Sequence, residues 1–82
     1  MTLGTVLGPI WATKKCPALA GQSFLRVATA RGEVIAADLV GAGVGERVIL
    51  VHGGAARLER RAAPVDTAIV AILDETEERY ER

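Results

Sequence analysis

Apolar and β-prone residues fall into five short runs, each bounded by glycine, proline or charged positions. The first, residues 3–13, carries Val6, Leu7, Ile10 and Trp11, but also Gly4, Gly8 and Pro9. Glycine and proline inside a strand pattern mark a bend, a bulge or an edge. Residues 14–22, with Cys16-Pro17 and Gly21, read as a loop. Residues 24–30 and 33–39 form two strands of a hairpin turned at Arg31-Gly32. After the glycine-rich stretch Gly41-Ala42-Gly43-Val44-Gly45 comes a fourth strand over residues 47–52, stopped by Gly53-Gly54. Residues 55–60 contain good helix formers and are expected to make one or two helical turns. The fifth strand covers residues 65–73.

Five short strands at regular spacing, with one short helix, predict an all-β fold: a small, closed or nearly closed OB-like β-barrel. Closure removes the long apolar edges that invite aggregation. One domain is expected over residues 1–74, followed by a charged tail over residues 75–82.

The fourth and fifth strands do not alternate cleanly. Val48 and Leu50 oppose Ile49 and Val51, while Val65, Ile69, Ala71 and Leu73 oppose Ala68, Val70 and Ile72. A barrel standing alone in water should alternate apolar-in with polar-out. Apolar residues on both faces predict that the outside is covered, by another subunit in a chain this short.

Composition narrows the picture. A chain of 82 residues forms one small domain, whose stability needs disulfides, a metal or oligomerisation. Cys16 is the single cysteine, so no internal disulfide can form, and with His52 it makes too few soft ligands for structural zinc. Oligomerisation is left as the expected support. Acidic and basic residues balance at ten each, so no net field draws nucleic acid or an anionic membrane. With no run near the ~20 apolar residues of a membrane span, and no secretory leader pattern, a soluble cytosolic protein is expected.

Each candidate for chemistry has a plainer reading. Gly41-x-Gly43-x-Gly45 lacks the spacing and the following helix of a dinucleotide fingerprint, and Glu46-Arg47 stands where a P-loop has Lys and Ser/Thr. A tight interstrand loop is expected instead. His52 has no recognisable nucleophile or carboxylate arrangement around it and reads as a strand-end residue. Asp38 and Asp66 interrupt apolar strands, where each is expected to accept backbone or arginine hydrogen bonds at a strand end or subunit contact. No catalytic residue, metal site or cofactor is expected. A nucleic-acid-binding barrel would need a basic groove lined with aromatics, and there is one Phe, one Trp and one Tyr. That reading and a small regulatory subunit of an enzyme complex remain as alternatives.

Three stretches resemble a known family. Leu3-Gly4-Thr5-Val6-Leu7-Gly8, continuing to Ala12-Thr13-Lys14, is similar to the start of the EutN/CcmL family of bacterial microcompartment vertex proteins. Ala37-Asp38-Leu39-Val40-Gly41-Ala42-Gly43-Val44-Gly45-Glu46 resembles its central signature, and Pro64-Val65-Asp66-Thr67-Ala68-Ile69-Val70-Ala71-Ile72-Leu73-Asp74 its closing strand. Departures include Pro9, Trp11, Ala37 and Gly54. The resemblance implies a cyclic homopentamer capping the vertices of a shell of hexameric and trimeric proteins in the bacterial cytoplasm. On that basis Gly41, Ala42, Gly43, Val44, Gly45 and Glu46 are expected to present main-chain hydrogen-bonding groups to the neighbouring hexamer. Ala55, Ala56, Arg57 and Asp66 are expected at the pentamer interface.

Overall fold

A computed structural model describes residues 1–53 and 65–74. Its strands are β1 (Thr2–Ile10), β2 (Phe24–Thr29), β3 (Gly32–Asp38), β4 (Arg47–His52) and β5 (Thr67–Ile72). They close into a barrel in the order β1-β2-β3-β5-β4, with β4 returning to β1. All neighbours are antiparallel except β3 and β5, which run parallel through a short contact at Ala37–Ala68 and Asp38–Ile69. The helical turns expected at residues 55–60 lie outside the described residues. A 3-10 turn at Pro17–Leu19, which the loop pattern did not indicate, precedes β2.

The barrel interior is built from side chains at alternate positions. Val6, Leu25, Val27, Ala36, Val48, Leu50 and Ile69 form one buried cluster. Gly4 faces the same interior, and a Cβ there would run into Val27 Cγ1 and the Ala28 carbonyl oxygen. The glycine in β1 is thus a packing requirement set by the β2 side chain opposite.

β1 is shorter than its apolar pattern, ending at Ile10, and its pairing with β2 shifts register between Val6 and Gly8. The extra residue, Leu7, is the bulge that Gly8-Pro9 foreshadowed. A bulge inverts side-chain parity, so Val6 points inward while Ile10, opposite Phe24, points outward. A second shift falls between Ile49 and Leu50 where they meet Ala71 and Ile69. It leaves Val70 without a partner on β4, so Ile69 and Ala71 fall on opposite faces of the sheet.

Part of the outer face of the two-faced strands is covered from within the chain. Ala37, Val51, Val65 and Ala68 form a second buried cluster, against which Leu19, Phe24, Leu39 and Val70 pack. Ala37, Ala68 and Val51 are register partners across β3, β5 and β4 on the side opposite the interior cluster. The chain itself, through Leu19 of the 3-10 turn and Val65, covers this part of the outer surface. Another subunit is not needed there.

Candidate functional site

The glycine loop between β3 and β4 is held from both ends by carboxylates. Asp38, the last residue of β3, accepts the backbone N–H groups of Val40 (3.2 Å), Gly41 (3.0 Å) and Ala42 (3.1 Å to Oδ2). Glu46 Oε1 accepts the N–H of Gly43 at 2.6 Å. The loop is also stitched to β1: Gly45 N–H donates to the Val6 carbonyl at 2.9 Å, and Val6 N–H to the Glu46 carbonyl at 3.0 Å. Asp38 therefore accepts backbone hydrogen bonds at a strand end, as its position within an apolar run led us to expect.

This geometry shows how the loop uses its amides within the chain. The N–H groups of Gly41, Ala42, Gly43 and Gly45 already have acceptors within the chain, and the Glu46 N–H donates to the Gly43 carbonyl at 3.2 Å. They are not available to a partner without breaking the loop. What the loop presents outward is a side chain, Val44, which is 70% exposed, flanked by the partly exposed Val40. Gly41 and Gly45 adopt positive φ of 77° and 87°, a backbone region hostile to side chains. Gly43 does not, and a Cβ there would make only an ordinary 3.5 Å contact with Glu46 Oε1.

Gln22 was missed by sequence reasoning and anchors this end of the barrel. It is buried, and its Nε2 donates to the carbonyls of Ser23 at 2.9 Å and Asp38 at 3.3 Å. Lys15 Nζ in turn donates to the Gln22 carbonyl at 2.8 Å and stands 5.8 Å from the Phe24 ring centroid. A lone polar residue before a strand carries no periodic signal that would have singled it out.

At the opposite end of β4, the His52 ring lies between two hydroxyls, with Nε2 2.9 Å from Thr2 Oγ1 and Nδ1 3.3 Å from Thr67 Oγ1. It links the ends of β1, β4 and β5 in a solvent-exposed position, consistent with a strand-end residue. Asp66, just before β5, is exposed; its carbonyl accepts the Gly53 N–H at 2.7 Å and its carboxylate the Thr67 hydroxyl at 3.4 Å. Ala55, Ala56 and Arg57 lie outside the described residues. Cys16 is exposed. On the outer wall Arg26 pairs with Glu33 at 2.7 Å, and the hydrogen bond and negative charge of Glu33 raise the Arg26 pKa further above its ordinary value. Among the described residues, no three His, Cys, Asp or Glu side chains gather as a metal site would require.

A closed five-stranded barrel of this strand order, with a carboxylate-bracketed glycine loop across one end, defines a small all-β domain. The chain belongs to the EutN/CcmL family, described as ethanolamine utilisation protein EutN/carboxysome, which matches residues 1–74. It is 39% identical over 83 residues to the carboxysome shell vertex protein CcmL of Synechocystis sp., covering 90% of this chain and 83% of that protein. It is 36% identical to the bacterial microcompartment shell vertex protein PduN of Salmonella typhimurium, covering 90% and 96% of the two. Among solved structures, CcmL of Nostoc sp. superposes with a TM-score of 0.85 at 36% identity, covering 90% of this chain and 89% of that one. The pentameric microcompartment shell protein GrpN of Rhodospirillum rubrum superposes with a TM-score of 0.80 at 36% identity, covering 90% and 93%.

Proposed function

We propose that this protein is a structural subunit, without catalytic activity of its own, that assembles as a homopentamer and closes the vertices of a bacterial microcompartment shell in the cytoplasm. The observation that carries this reading is membership of a family whose relatives, aligned over about nine-tenths of this chain, bear the names of shell vertex proteins. Physical chemistry supports it. A domain of 82 residues buries a modest core and gains stability from neighbours, and a heterologous interface whose rotation closes produces a ring.

The partners in such a shell are hexameric and trimeric shell proteins. The loop Gly41 to Glu46 is the surface that meets a hexamer. Because the amides of Gly41, Ala42, Gly43, Gly45 and Glu46 have acceptors within the chain, the contact runs through Val44 and the neighbouring backbone carbonyls. Asp66 and the segment Ala55-Ala56-Arg57 serve the contacts between pentamer subunits.

Co-production with hexameric shell proteins tests the scheme. Native mass spectrometry of the isolated chain should give five subunits, and Val44→Glu should leave that pentamer intact while electron microscopy reveals shells with open vertices. A monomer at micromolar concentration refutes the ring. Shells closed normally by Val44→Glu pentamers refute the role of the loop.

A further inference from the structure

Among the described residues, two apolar surfaces remain open besides the loop that carries Val40 and Val44. The first lies where β1 ends: Ile10 is 42%, Trp11 85% and Ile35 44% exposed. Ile10 is turned outward by the bulge at Leu7, and Ile35 sits on the outer face of β3 opposite Arg26. Beside them opens a groove of about 880 Å³ whose walls include Leu19 and Phe24. The second surface lies where β1 begins. Leu3, 52% exposed, pairs with Ile49, which pairs with Ala71, giving an unbroken apolar row across β1, β4 and β5.

The two surfaces differ in shape and position. One is concave with a projecting indole, the other a row standing on a sheet. Leu3 and Ile10 lie at opposite ends of β1, roughly 23 Å apart at about 3.3 Å per residue. Exposed apolar residues of this size, clustered rather than scattered, mark interaction surfaces. A ring of identical subunits needs two non-identical surfaces on each subunit, one to give and one to receive. A partner of another kind would account for one of them; a second copy of this chain accounts for both.

We propose that the Leu3–Ile49–Ala71 row of one subunit seats in the groove beside Ile10, Trp11 and Ile35 of the next, and that this contact closes the ring. The proposal rests on the pentameric reading above and assigns its main apolar contact to residues other than Asp66, Ala55, Ala56 and Arg57.

Trp11 is the sole tryptophan, so its fluorescence reports on this surface alone. In the intact pentamer its emission should be blue-shifted and its quenching by acrylamide several-fold slower than in a monomeric variant. A pentamer whose Trp11 is quenched as fast as in the urea-unfolded chain overturns the assignment and leaves the pentamer standing. A wild-type monomer overturns the pentameric reading itself. Ile35→Glu and Leu3→Glu, each verified as folded by circular dichroism, should each lose at least ten-fold in pentamer at micromolar concentration. Mixed together they should form dimers, because one variant keeps an intact groove and the other an intact row. Persistence of the ring in either variant, or a mixture that stays monomeric, overturns the pairing.

Discussion

The backbone N–H of Gly43 donates to Oε1 of Glu46 at 2.6 Å while the N–H of Glu46 donates back to the carbonyl of Gly43 at 3.2 Å. This reciprocal pair closes the far end of the loop, as Asp38 closes the near end. The two ends are unequal, because Asp38 serves three N–H groups and Glu46 serves one. Removing an acceptor from exposed amides costs less than from buried ones, since water substitutes in part. Glu46→Ala should therefore lower stability by about 1 kcal/mol and Asp38→Ala by about 2 kcal/mol, with Asp38→Asn between wild type and Asp38→Ala. Urea unfolding midpoints check the order.

The loop glycines should not respond alike. Gly41 and Gly45 hold φ of 77° and 87°, so alanine at either should cost about 1–2 kcal/mol. Gly43 has neither positive φ nor a close neighbour, and Gly43→Ala should stay within about 0.5 kcal/mol of wild type. Thermal unfolding of the three variants under one buffer separates them.

Gly4 faces the barrel interior, where an added methyl meets Val27 Cγ1 and the Ala28 carbonyl. Overpacking of this kind costs about 1–3 kcal/mol. Gly4→Ala should be destabilised by that amount, and shortening the obstructing side chain in Gly4→Ala/Val27→Ala should recover part of it, seen as a non-additive double-mutant cycle in urea.

Cys16 is exposed and unbridged. Cys16→Ser should shift stability by less than about 0.5 kcal/mol and leave the oligomer mass unchanged. Loss of the oligomer in that variant would give the thiol a structural role.

Strand content and order of elements were legible because period-two runs bounded by glycine and proline are a local signal. The pattern located β4 at Arg47–His52 without error and the hairpin of β2 and β3 to within a residue or two. It also marked Asp38 as a strand-end acceptor, since a carboxylate inside an apolar run needs donors nearby. On the outer wall it did not separate what the chain covers itself from what it leaves open. Val51 and Ala68 fell among the residues expected under a subunit contact, but they pack with Val65 and with Leu19, the latter distant in sequence. Nor does the pattern show how the loop amides are used, which depends on where Asp38, Glu46 and Val6 come to lie.

The sequence by itself determined an all-β chain with a glycine loop at a fixed place between its third and fourth strands, because alternation, turn chemistry and backbone freedom are properties of near neighbours. Only the tertiary structure decided which way each apolar side chain faces. One bulged residue, Leu7, turns Ile10 outward instead of inward, and no local pattern records on which side of a closed barrel a shifted register will leave it.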